Sequence, residues 1–320
     1  TRPALDEIFA YRAHVDAAIE TLMERGPAPD VVELIELGCH HEQQHQELLL
    51  TDILHLFDQS PLKPAYRDPQ PLGVAADPGE ARFIGFDGGI VEIGHDGDGF
   101  AFDCEGPRHR ALLEPYRLAD RLVTNGEYLA FVEDGGYRDP LLWLSAGWGT
   151  ILGEGWTRPF YWHERDGEMW TMTLRGAQPL DLNAPVTHLS YFEADAFATW
   201  AGKRLPTEFE WENAAASLPV EGNFAGSGRL RPKPAAPGEG LRQMYGDVWE
   251  WTRSPFSPYP RFKPVEGAVG EYNGKFMCGQ FVLRGGSCAT PENHIRTTYR
   301  NFFPPDARWQ FSGLLLAEDA

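Results

Sequence analysis

One stretch sets the terms for everything else in the chain. Between about Asp30 and Phe57 apolar residues recur at helical spacing, and inside that segment runs HHEQQHQELLL, His40 to Leu50. On a helix His41 and His45 fall one turn apart on one face, about 6 Å from each other, so two imidazoles can share one metal ion. Neutral imidazole suits zinc, iron, nickel or copper, and the same spacing also occurs on wet helix faces, so both readings stand at this point. His40 lies about 100° round the helix from His41, and His55 about 15 Å further along the axis than His45, so neither completes the pair. Two ligands are too few for a stable site. At least one more must come from elsewhere.

A shorter amphipathic helix precedes this one. Ile8, Phe9, Tyr11, Val15, Ile19 and Leu22 repeat at helical spacing between Leu5 and Arg25. Gly26 ends it, Pro27 and Pro29 fill the turn, and Asp30 is the expected N-cap of the His-bearing helix. His14 reads as a core or surface histidine. Two antiparallel helices bury too little to stand alone, since a bundle of this kind usually has four. The other pair is expected upstream of Thr1, and the opening TRPALDEIF, with no initiator Met, reads as the remainder of a longer gene product.

Charge narrows the partners. With 28 Lys+Arg against 47 Asp+Glu the chain carries −19, which repels phosphate backbones and anionic lipid and argues against nucleic acid or a membrane surface. No apolar run approaches the roughly 20 residues of a membrane span. Cys39, Cys104, Cys278 and Cys288 show no C-x-x-C spacing, which fits a reducing, cytoplasmic setting. A homo-oligomer is compatible with all of this.

Residues 58 to 80 are rich in proline and read as a linker, after which short aromatic strands and Gly turns take over. Thr124 and Ser190 are expected N-caps of helices running through Phe131 and Ala201, AGKRLPTEFEWENAAA gives a turn and a short helix, and 219–240 is a Pro/Gly-rich loop. No internal repeat is visible. The expected class is α+β, with helices in 1–60, a linker in 61–84 and a second domain in 85–320.

The blocks GGIVEIG, PVTHLSYFEADAFATWAGKRLPTEFEWE, GDVWEWT and VLRGGS together resemble the formylglycine-generating-enzyme domain, a variant of the C-type-lectin-like fold, over about residues 85 to 318. HHEQQHQELLL resembles the metal helix of a DinB-like four-helix bundle. The two in one chain resemble the ergothioneine-pathway sulfoxide synthases, with Tyr272 to Leu314 the most family-specific part. The resemblance implies a mononuclear non-haem iron(II) oxygenase that uses O2 to join a thiol sulfur to the imidazole C2 of hercynine, Nα-trimethylhistidine, and oxidises the sulfur to a sulfoxide. It implies iron held by three histidines, two of them matching His41 and His45 and the third upstream of Thr1, where the family's catalytic tyrosines also lie.

Substrate-binding roles follow by the same resemblance. Gln44 matches a glutamine that contacts hercynine, Asn301 an asparagine that helps hold its carboxylate, and Tyr272 a pocket tyrosine. Phe302 offers a ring near the trimethylammonium, where cation–π attraction is worth about 0.5 to 2 kcal/mol. In members that use γ-glutamylcysteine the position of Phe303 is an aspartate pairing with the donor's amine. An apolar Phe303, and Val269 with Gly270 where that branch carries a tyrosine, favour L-cysteine as sulfur donor. Leu315 stands where an arginine is common, a lost surface or structural contact. Glu42 and Glu47 lie off the His41 and His45 stripe and read as solvated or helix-packing carboxylates.

Other readings remain. A formylglycine-generating oxidase needs a cysteine pair after the RGGS turn, where this chain has Cys288 alone, with Thr290 and Ile295 at the paired positions. A sister sulfoxide synthase, of ovothiol type or using a selenium donor, and a non-catalytic lectin-like binding module are the alternatives that the motifs leave open.

Overall fold

Helix α1 spans Leu5–Glu24 and α2 spans Pro29–Gln59 in the computed structural model, which describes residues 2–72, 77–97, 99–266, 270 and 273–320. Asp30 is not the cap of α2. Pro29 is already helical and the Ala28 carbonyl accepts the first backbone bonds, from Val31 at 3.0 Å and Val32 at 3.2 Å. Proline suits that first position because its missing N–H has no helical partner there anyway.

The chain divides into two compact units, 1–42 and 43–320. In the first, α1 has no buried residue, and Leu5, Phe9 and Tyr11 are all well exposed. A two-helix unit offers no closed core for such a face. The second unit begins within α2. From Gln43 on, that helix supplies Leu54, wholly buried against Tyr161, Met172, Leu174 and Phe311, with Leu50, Ile53 and Phe57 packed beside it. The Pro-rich stretch that follows is pinned, with the Tyr66 and Arg67 amides both donating to the Leu174 carbonyl.

Four small sheets and four helices make up the rest of the described residues. Strand β1 (Phe83–Phe86) and the last strand, β12 (Ala317–Asp319), flank β4 (Tyr116–Ala119), so the two ends of this domain meet in one sheet. A two-stranded ribbon, β2 (Gly89–Ile93) with β3 (His109–Leu113), and a meander of β5 (Trp162–Arg165), β6 (Glu168–Thr173) and β7 (Gly176–Pro179) form two further sheets. The sheet that carries the site runs β10–β9–β8–β11. Its members are β8 (Trp249–Pro255), β9 (Phe281–Arg284), β10 (Asn301–Phe303) and β11 (Ser312–Gly313).

The helices expected after Thr124 and Ser190 start where the sequence says. Thr124 caps α3 (Asn125–Glu133), Ser190 caps α5 (Tyr191–Trp200) and Thr207 caps α6 (Glu208–Ala215), each with a reciprocal glutamate three residues on. Helix α4 (Ser145–Glu154) closes on Gly155 in the left-handed region. No helix among the described residues is long and apolar enough to cross a membrane.

Beneath the site sheet lies a buried ionic cluster. Arg284 bonds Glu208 at 3.0 Å and Glu212 at 2.9 Å, and Arg300 grips Glu208 through two nitrogens while stacking 4.0 Å over Tyr259. Burial alone would raise the Glu208 carboxyl, but Arg300 and Arg284 outweigh it and hold it below its ordinary range. The cluster fixes the end of β9 and the residue that leads into β10.

Candidate active-site cleft

Strand β10 brings its three residues to a cleft of about 150 Å³. Paired antiparallel to β9 as Asn301 with Leu283, Phe302 with Val282 and Phe303 with Phe281, it is held at its start by Arg300, whose Nε, Nη1 and Nη2 all donate, to Glu208, the Cys104 carbonyl and the Ser257 carbonyl. Opposite it runs the α2 face of Gln44, Glu47 and Leu48, at the i, i+3, i+4 spacing of one helical stripe. Trp249, Tyr299, His294 and Phe102 complete the walls.

Four residues singled out from the sequence, Gln44, Asn301, Phe302 and Phe303, therefore line one cleft. Phe302 both lines it and packs, its ring stacked on Phe256 at 4.1 Å. Phe303 is half-buried with Trp309 edge-on at 6.1 Å. Asn301 turns its carbonyl oxygen back to accept the Phe302 amide at 2.9 Å. Tyr272 lies outside the described residues. His41 and His45 are both exposed on α2, and His45 is not among the residues lining the cleft.

Glu47 is not solvated. It is buried, and its carboxylate accepts from the Trp249 indole at 2.9 Å, the Ser287 hydroxyl at 2.5 Å and the Thr290 hydroxyl at 2.8 Å. Burial pushes its carboxyl up, and those three hydrogen bonds only partly offset the push. The RGGS turn delivers the Ser287 donor, and Thr290 follows three residues on. Gly285 and Gly286 hold φ of +93° and +82°, and a Cβ on Gly285 would come within 2.6 Å of the Met244 carbonyl oxygen.

Two polar atoms in the cleft wall have no hydrogen-bond partner among the described residues, Gln44 Oε1 and Gln310 Nε2, and Gln310 is only 2% exposed. A buried amide left unpaired costs about 1 to 3 kcal/mol, so one acceptor and one donor here are set out for a ligand or water. With Arg300 turned to its own partners and Glu47 buried, the walls among the described residues offer aromatic faces and amides.

The implied metal meets a partial donor set. Two imidazoles at i, i+4 suit a ferrous ion, but no group of three or more His, Cys, Asp or Glu side chains able to hold a metal forms among the described residues. No step of a reaction is therefore derived through it.

Comparison with known proteins agrees with the architecture. The Sulfatase-modifying factor enzyme 1-like domain matches residues 74–238 and 228–320, and the solved structure of PvdO from Pseudomonas aeruginosa superposes with a TM-score of 0.52 at 18% identity, over 77% of this chain and 100% of that one. The chain belongs to the sulfatase-modifying factor enzyme 1-like family. Over nearly its whole length it is similar to hercynine oxygenases. That of Mycolicibacterium thermoresistibile is 35% identical over 99% of this chain and 76% of its own length, and that of Mycobacterium tuberculosis is 36% identical over 87% and 70%.

Reading from sequence passed over His294, Tyr299, Trp249 and Asn273 as cleft residues. Spacing offered a signal for Glu47, which shares a stripe with Gln44. His294 and Tyr299 sit in the HIRTTYRN run, whose loop-borne residues carry no periodicity to mark them.

Proposed function

We propose that this chain is a hercynine oxygenase of ergothioneine biosynthesis, joining the sulfur of a thiol, L-cysteine, to C2 of the hercynine imidazole as a sulfoxide. The observation that carries the reading is the cleft, which gathers Gln44, Asn301 and Phe302 beside amide groups awaiting partners. The similarity to proteins named hercynine oxygenase supports it.

The cleft chemistry suits a quaternary ammonium better than a metal-free acid or an oligosaccharide. Phe302, Trp249, Tyr299 and Phe102 supply ring faces and edges, each ring face worth about 0.5 to 2 kcal/mol to a desolvated cation. Asn301 and Gln310 supply neutral N–H donors for the hercynine carboxylate, and Gln44 the acceptor for an imidazole N–H. Phe303, apolar where a γ-glutamyl amine would seek a carboxylate, favours the smaller donor.

In overall balance one imidazole C–H and one thiol S–H are lost, one C–S and one S–O bond form, and O2 takes four electrons, one oxygen ending in the sulfoxide and the other in water. Iron(II), with His41 and His45 as two of its donors, would supply the O2 binding and redox change that no side chain provides. The chain's own residues bind, orient and exclude water.

Incubation of the protein with Fe2+, hercynine, L-cysteine and air, followed by product mass, tests the reading. It predicts a mass equal to hercynine plus cysteine, plus one oxygen, less two hydrogens. Oxygen consumed with hercynine returned unchanged would refute it.

A further inference from the structure

A directed run of hydrogen bonds leads away from the cleft. Gln43 Nε2 donates to Asn293 Oδ1 at 2.6 Å, which turns Gln43 Oε1 toward His294 Nδ1 at 3.2 Å. A carbonyl oxygen only accepts, so Nδ1 carries the proton, and the tautomer this selects leaves Nε2 as an acceptor. That nitrogen lies 3.0 Å from the Tyr299 hydroxyl, which donates its one proton there. With its proton spent, Tyr299 Oη can only accept from Gln44, and Gln44 Nε2 donates to it at 2.8 Å. The amide of Gln44 is thereby turned so that Oε1, with no partner among the described residues, is the atom left over for the cleft.

We propose that Tyr299 and His294 are positioning residues that lock the Gln44 amide with its carbonyl oxygen presented to the ligand, making Gln44 a selective acceptor for a ligand N–H. Two further observations fit. Tyr299 is buried, 3% exposed, and burial holds its hydroxyl far above its ordinary range, so it remains a proton-bearing donor at any working pH. Its ring is clamped edge-on by Phe102 at 5.6 Å and tilted against Trp249 at 5.4 Å, so the hydroxyl has little freedom to turn to another partner. The inference rests on the hercynine reading for its ligand. Hercynine's amine is fully methylated, so its imidazole N–H is the one group with a proton to give Oε1.

Calorimetric titration of hercynine into the protein under anaerobic conditions reads the contact. Loss of one buried acceptor–donor pair predicts a Kd about tenfold weaker for Gln44→Leu. Tyr299→Phe, which removes one oxygen and keeps the ring, is expected to weaken binding severalfold, and the double variant no more than Gln44→Leu alone, because both act through one contact. Hercynine methylated on the imidazole nitrogens, with no N–H to donate, should bind wild type and Tyr299→Phe alike. Additive losses in the double variant, or wild-type affinity in Tyr299→Phe, would overturn the proposal. The side-chain amide protons of Gln44, followed by NMR without ligand, keep the lock testable apart from function. They should move in Tyr299→Phe and in His294→Leu, and if neither moves them the relay is refuted even should hercynine bind. No hercynine binding by wild type, with those protons shifting in both variants, would sink the functional reading and leave the lock standing.

Discussion

Replacing Glu47 by leucine removes the single acceptor shared by three buried donors. The Ser287 and Thr290 hydroxyls stand 3.3 Å apart and can turn toward each other, so their loss is partly recovered. The Trp249 indole N–H has no such recourse, and leaving it unpaired costs about 1 to 3 kcal/mol. The carboxylate also pays for its burial, as its raised pKa records, so leucine relieves one cost while imposing another. The balance predicts a loss of about 1 to 3 kcal/mol for Glu47→Leu. Glu47→Gln keeps a carbonyl for Trp249 and Ser287 but turns an amide toward Thr290 Oγ1, which already accepts the Ser287 backbone N–H at 2.8 Å, and should cost about 1 kcal/mol. Urea unfolding followed by tryptophan fluorescence and by far-ultraviolet dichroism gives both numbers, as shifts in midpoint at constant slope. A leucine variant within about 0.5 kcal/mol of wild type, or a glutamine variant worse than leucine, would refute the reasoning.

Two further outcomes follow from the structure. Burial pushes the Asp247 carboxyl up to about 6 from 3.8, despite donors from the Lys233 amide, Asn223 and Gln243, so its ionisation opposes folding. Relative to Asp247→Asn, wild type should be most favoured below pH 3.8 and lose about 3 kcal/mol of that advantage as the pH rises past 6, measured by unfolding at stepped pH. Phe303→Asp restores a carboxylate at the cleft wall and should raise kcat/KM for γ-glutamylcysteine relative to L-cysteine about tenfold in competition, as one charge pair of about 1.4 kcal/mol would. An unchanged ratio would remove Phe303 from donor selection.

Much of the framework was legible because local physics decided it. Thr124 and Ser190 announce α3 and α5 by reciprocal capping with Glu127 and Glu193, and the His-bearing helix declares itself by period. Sequence placed the cap of that helix two residues late, at Asp30 and not Ala28, since proline's fixed φ already suits the first helical position at Pro29. The cleft was readable only in part. Gln44, Asn301, Phe302 and Phe303 came from motif resemblance, whereas Tyr299 and His294 meet them through contacts more than two hundred residues distant from Gln44. Glu47 shows the limit most plainly. On a helix wheel a glutamate faces water until something known says which face is covered, and the cover here is Trp249, Ser287 and Thr290, supplied by loops and a strand end far along the chain.

The account depends on hercynine entering this cleft, and a crystal structure of the protein soaked anaerobically with hercynine tests that most directly. It should show the imidazole N–H against Gln44 Oε1, the carboxylate toward Asn301 or Gln310, and the trimethylammonium among the rings of Phe302 and its neighbours. Hercynine bound elsewhere, or a cleft holding only water at saturating ligand, would contradict it.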